Sequence, residues 1–289
     1  SLHDALPICK LPTSFNDGEP GYNNISRKQQ MVGYAFEHSF DDVWTVRQNL
    51  RYSKMDVDYR SIYGLGIDPD NSAELKRGVM NSKEHMSSFA VDTQAQAKFA
   101  TGQVDHILLM GVDYMRMRND VVYQYGSASN LNVIAPQYGN RSYTITGGAS
   151  QVNRQEQTGL YVQDQAEWNN WVLTMGGRYD WSDTNSTNRL NQNSVSKQQD
   201  NQFTGRAGLN YVFENGIAPY VSYSESFEPT SGTDFSGNTF AASKGKQYEA
   251  GVKYAPKDRP ITASVALYQL TKTNNKVADL EHPFFSVQG

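Results

Sequence analysis

Nowhere in these 289 residues do 18 apolar side chains follow one another, so no helix of this chain can span a bilayer. Apolar residues make up 38% of the chain and mean hydropathy is −0.65, which is low for the core of a soluble protein this long. A single cysteine, Cys9, excludes a disulfide framework within the chain. The formal net charge of −4 comes without a basic stripe, which removes nucleic acid as an expected partner. His3, His38, His85, His106 and His282 are scattered without metal-ligand spacing. There is no Gly-x-Ser-x-Gly elbow, no P-loop and no Rossmann fingerprint. No catalytic residue, protein-held metal or cofactor is therefore assigned. Helical periodicity is missing over any useful length.

Alternation is what the chain has. In Phe203–Glu214, Phe203, Gly205, Ala207, Leu209, Tyr211 and Phe213 lie on one face of a strand. Thr204, Arg206, Asn210 and Glu214 lie on the other, because successive strand residues point to opposite sides. About ten segments repeat this pattern. Trp44, Val46, Leu50 and Tyr52 oppose Thr45, Arg47, Asn49 and Arg51; Phe89, Val91, Ala95, Ala97 and Phe99 oppose Ser88, Asp92, Gln94, Gln96 and Lys98. Leu108, Met110, Val112 and Tyr114 share one side, as do Trp171, Leu173, Met175, Tyr179 and Trp181. One face is greasy and the other wet, the pattern of an antiparallel transmembrane β-barrel.

Connections alternate short and long. Short turns fall at Asp41-Asp42, Thr101-Gly102-Gln103, Asn169-Asn170, Asn215-Gly216 and Pro256–Pro260. Long polar loops are expected over Ser53–Glu84, Gly126–Gln151, Ser182–Gln202 and Glu228–Lys246. Aromatics crowd the short turns: Phe40, Trp44, Phe99, Trp168, Trp171, Phe213, Tyr220 and Tyr254. A girdle at the periplasmic interface of an outer membrane falls there, and His38 and His106 join it. A soluble sandwich is the rival, but its strands are usually about 5–6 residues long. Arg47, Arg51, Asp92, Gln94, Lys98, Arg178 and Arg206 would face the lumen, which calls for a large barrel or a polar plug.

Residues 1–9 read as a leader foreign to the rest. Ser1–Ile8 resembles the translation of a sequencing-adapter oligonucleotide, and Cys9 is its junction. Native sequence is expected from Lys10, and residues 10–289 then form a partial barrel cut at both ends.

The segments Thr158–Gln165, Gly176–Trp181, Ser222–Pro229 and Gly245–Glu249 resemble the barrel of TonB-dependent siderophore receptors. Trp44–Arg51, Phe99–His106 and Asp113–Asp120 narrow the resemblance to the ferrichrome, or hydroxamate-siderophore, branch. The resemblance implies an all-β fold: about 10 strands of a 22-stranded barrel, with short periplasmic turns and long extracellular loops, in the outer membrane of a Gram-negative cell. The plug domain and the TonB box would lie N-terminal to this chain. Ten strands cannot close around so wide a lumen, so an open curved sheet or a forced small barrel is expected. The implied function is TonB-dependent uptake of a ferric hydroxamate, with the iron complex as ligand rather than cofactor; TonB and membrane lipid are the other partners. By motif position Tyr63, in Ser-Ile-Tyr-Gly-Leu-Gly, and Tyr125, in Val-Val-Tyr-Gln-Tyr-Gly, match siderophore-binding mouth aromatics. The same tyrosines also fit an outer girdle facing lipid. The pattern departs at Leu65, where a second aromatic is usual, and at Asp68, where a cysteine would fall; ferrioxamine and other hydroxamates stay open. A passive porin or an adhesin barrel is the alternative function.

Overall fold

The computed structural model describes residues 12–230, 232–282 and 285–289; the leader expected at residues 1–9 lies outside them. Ten strands form one antiparallel meander in chain order: β1 (Asn24–Ser39), β2 (Trp44–Asp68), β3 (Asn71–Thr101), β4 (Val104–Asn132), β5 (Tyr143–Trp168), β6 (Trp171–Asn188), β7 (Ser194–Tyr211), β8 (Ile217–Glu228), β9 (Ser243–Tyr254) and β10 (Ala263–Thr273). β11 (Lys276–Ala278) and β12 (Ser286–Gln288) make a separate hairpin. The sheet is open. β1 and β10 are its edges, and both are exposed along their whole length.

Register turns the alternation of single strands into two continuous faces. Tyr34, Leu50, Val91 and Tyr114 form one row across β1–β4. Val112, Leu160, Tyr179 and Phe203 form another across β4–β7. Leu173, Leu209, Val221, Ala250 and Leu267 carry a third to the far edge. This outer face stays uncovered: Leu267 is 80% exposed and Val265 74%. Water would not tolerate so long an apolar patch on a monomer, whereas lipid would. Aromatics bound it twice. Trp44, Phe99, Trp168, Trp171, Tyr211 and Phe213 stand at the short-turn end, and Tyr52, Phe89, Tyr114, Trp181, Phe203 and Tyr248 at the other. From Trp171 to Trp181 the strand covers about 33 Å, or about 25 Å of bilayer at a tilt of about 40°. His106 belongs to the first girdle, stacked on Phe99 at 4.9 Å and bonded through Nδ1 to Asp164 at 2.7 Å.

The short turns lie where the sequence puts them. Asn169 closes β5–β6 with a positive φ of 52°, and Gly216 closes β7–β8 at 85°, a conformation glycine adopts without a Cβ penalty. Of the four long excursions, Glu228–Lys246 remains a long connection over 229–242, and the other three differ from expectation. Ser53–Glu84 is not a loop: β2 and β3 stay paired through it, with irregularities at Gly64/Gly66 and Ile67/Asp68, and turn over Pro69-Asp70. Likewise 126–151 shrinks to a connection over 133–142, and 182–202 to one over 189–193. Above the belt the strands meet water except where residues 16–23 pack on β2–β4, so most of the paired strand there needs no apolar alternation and its Asp, Asn and Gly content resembles a loop.

Candidate functional site

The inner face is polar and knitted together. Arg178 on β6 forms a bidentate ion pair with Asp113 on β4, one arm at 2.9 Å, and also binds Asp180 at 2.6 Å. Gln157 donates to Asp180 (2.9 Å), and the Tyr161 hydroxyl donates to Asp92 (2.6 Å). The Arg178 guanidinium lies 5.8 Å from the Tyr161 ring centroid. Arg47 pairs with Glu37 and donates to Gln96 (2.9 Å). Of the residues expected on the lumen face, Arg47, Asp92, Gln94 and Arg178 thus engage one another or their neighbours. Sequence alternation put them on one face. Only strand order brought Arg178 to Asp113, 65 positions earlier.

Tyr63 and Tyr125 stand on this same inner face, beyond the belt. Tyr63 is an even number of residues from Arg51 in an unshifted stretch of β2, and Tyr125 from Asp113 in β4. Both tyrosines therefore share the face of Arg51 and Asp113, opposite the apolar rows. Tyr63 pairs with Gly78, and its ring atoms lie 3.0–3.2 Å from where a Cβ on that glycine would sit. Tyr125 pairs with Gly147 and covers it in the same way. Larger residues at Gly78 and Gly147 would lift both rings off the wall. The two tyrosines are two strands and two rungs apart, a Cα separation of about 12 Å from strand geometry. A ladder irregularity follows each one directly, at Gly64/Gly66 and at Tyr125/Gly126.

Tyr123 was not singled out by sequence. It stacks on Tyr125, with centroids 6.2 Å apart and planes at 25°. Burial first, and then the neighbouring Tyr125, push its phenol above the ordinary tyrosine range, so it stays neutral and can donate a hydrogen bond. Its spacing of two from Tyr125 was the available signal, since residues i and i+2 share a strand face. Among the described residues no group of three or more His, Cys, Asp or Glu side chains is arranged to hold a metal ion.

The outer end of β2–β4 is closed by residues 16–23, which precede β1. Glu19 and Arg77 form a fully buried ion pair at 3.1 Å. Arg77 also donates to Gly18 O (3.2 Å), Ser129 O (2.7 Å) and Ser129 Oγ (3.1 Å), and Glu19 accepts from Gly139 N–H (2.6 Å). Ile62, Leu75, Val79 and Leu131 are buried at this end. Tyr22 donates to Asn81 (2.8 Å) and meets Tyr143 edge-on.

Ten antiparallel strands, a twice-girdled apolar outer face and a salt-bridged inner face define this chain as a stretch of outer-membrane β-barrel wall. The family described as TonB dependent receptor-like, beta-barrel, matches residues 10–287. The chain belongs to that family. It is 48% identical over 311 aligned residues to the ferrichrome outer membrane transporter/phage receptor of Escherichia coli K12, covering 99% of this chain and 41% of that protein. It is 40% identical to the ferrioxamine B receptor of Salmonella typhimurium, covering 95% and 38%. Among solved structures, the siderophore receptor PiuA from Acinetobacter baumannii superposes with a TM-score of 0.78 at 16% identity, over 90% of this chain and 42% of that one. The pyoverdine receptor FpvA of Pseudomonas aeruginosa does so at 0.74 and 18%, over 97% and 42%. These superpositions speak to the fold. The chain spans about two fifths of the length of the curated relatives it matches.

Proposed function

We propose that the protein carrying this chain binds a ferric hydroxamate siderophore of the ferrichrome or ferrioxamine kind at its outer mouth and imports it with energy delivered through TonB. The supporting observation is the placement of Tyr63 and Tyr125 on the inner face beyond the belt, in a chain 48% identical to a ferrichrome transporter. The chemistry fits the residues. Iron in a hexadentate hydroxamate has no open coordination position, so the receptor covers the ligand's CH₂ and amide surface rather than the metal. Aromatic rings with a polar tip do this well. The role is binding and transport, not catalysis, and iron enters as cargo.

The test is uptake of radiolabelled ferrichrome and ferrioxamine B by cells whose only hydroxamate receptor is the full-length protein. Uptake is expected with one of the two and lost on deletion of TonB. Uptake indifferent to TonB would point instead to a passive pore. Tyr63→Ala and Tyr125→Ala are each expected to weaken siderophore binding about tenfold, from a loss of about 1–2 kcal/mol.

A further inference from the structure

Tyr63 sits on a stretch of β2 that has lost its neighbour. β1 pairs with β2 only as far as Asn24↔Arg60, so beyond Arg60 the edge of β2 that faced β1 has no ladder partner. Unpaired edge amides leave a strand free to shift or fray. Two side chains from the preceding segment take the missing strand's place. The Asn23 carboxamide acts as a peptide would: Nδ2 donates to Ile62 O (3.0 Å) and Oδ1 accepts from Ile62 N–H (2.8 Å). One rung further, Asp17 Oδ2 accepts from Gly64 N–H (2.9 Å). The backbone on both sides of Tyr63 is thus pinned on one edge, while Gly78 pairs with Tyr63 itself on the other. The segment is in turn locked by the Glu19–Arg77 pair, by Glu19 on Gly139 N–H, and by Tyr138, whose hydroxyl donates to Asn16 O (2.7 Å). Gly139 and Tyr138 belong to the β4–β5 connection, which joins the strands carrying Tyr125 and Gly147.

We propose that Asp17 and Asn23 are positioning residues for ligand recognition: they cap the open edge of β2 and hold Tyr63 in place, and Glu19 ties that cap to the wall bearing Tyr125. The inference rests on the reading of Tyr63 as a ligand contact. Its physical basis is preorganisation, since a side chain already fixed in its bound geometry loses less freedom when ligand arrives. Asp17 and Asn23 themselves touch no ligand.

The experiment uses the full-length receptor in detergent and reads ferrichrome and ferrioxamine B affinity from intrinsic fluorescence quenching. Asp17→Ala and Asn23→Ala are expected to weaken binding about three- to tenfold. Asp17→Asn, which keeps an acceptor for Gly64 N–H, is expected to stay within about twofold of the parent. That rescue would tie the effect to the hydrogen bond on Gly64 N–H rather than to the carboxylate charge. The decisive measurement is a double-mutant cycle: in the Tyr63→Ala background, Asp17→Ala should have no further effect, because the side chain it positions is gone. An equal loss in both backgrounds overturns the positioning role and leaves the ligand site standing. If Tyr63→Ala alone leaves affinity unchanged, the assignment of Tyr63 to the ligand site falls, and the positioning role falls with it.

Discussion

The outer end of β2–β4 and the apolar belt nearer the short turns are built from the same strands, yet they dispose of apolar surface in opposite ways. At the outer end Ile62 and Val79 are wholly buried, shielded by protein, and the ion pair beside them is sealed from solvent. In the belt, Leu160, Val162 and Val221 are each half exposed or more. The first region carries its own core because it stands in water. The second has none, as on the outer wall of a transmembrane barrel, where apolar side chains need no protein cover. One sheet therefore obeys two burial rules along its length.

The largest break in this comparison comes from Arg77→Ala, which strands the Glu19 carboxylate in a buried site. It is expected to destabilise the outer end by about 3–5 kcal/mol. Hydrogen exchange should show lost protection at the amides of Ile62, Gly64 and Gly139, with the amides of belt strands unchanged. Spread of the loss into the belt would mean that the two regions unfold as one. Replacing both partners together, Glu19→Leu with Arg77→Met, should lose much less, because no charge is left unpaired.

A charge placed in the belt probes the other rule. Ala207→Arg, opposite Met175 near the middle of the Trp171–Trp181 belt, is expected to lower stability of the full-length protein in bilayers by about 2–4 kcal/mol. Gln199→Arg, on the same face of β7 but beyond the outer girdle, should change it by less than about 1 kcal/mol. Urea unfolding in vesicles measures both, and equal effects would move the membrane boundary outward. The smallest effect concerns the β6–β7 turn, where Arg189 grips Asp120 with bonds of 2.7 and 2.6 Å. That pairing holds the Asp120 carboxyl below its ordinary range. The pair's contribution is complete above the unfolded aspartate pKa of about 3.9 and fades as pH falls through the lower folded value. Exchange protection around 189–193 should accordingly hold at neutral pH, decline only in acid and weaken with salt.

Much of the wall was legible from alternation alone. Phe203–Tyr211 places Leu209 outward and Arg206 inward without any tertiary knowledge, since a strand has only two faces. The same reasoning failed over Ser53–Glu84. Where both faces are wet, nothing selects apolar residues at every second position, and a ladder of Asp, Ser, Lys and Asn is indistinguishable from a loop. Tyr63 and Tyr125 were singled out by motif alone, and Tyr123 drew no notice although it shares a face with Tyr125. The strap of Asp17, Glu19 and Asn23 left no periodic trace, for its partners lie 39 to 120 positions away.

The period of the strands, the sites of the tight turns and the two-faced alternation of most strands follow from local sequence, because each depends on side chains only a few positions apart. Tertiary structure decided how far the strands continue, which charges meet across the inner wall and what holds Tyr63. Those outcomes depend on register, which sums the geometry of whole strands and brings together residues that no local pattern links.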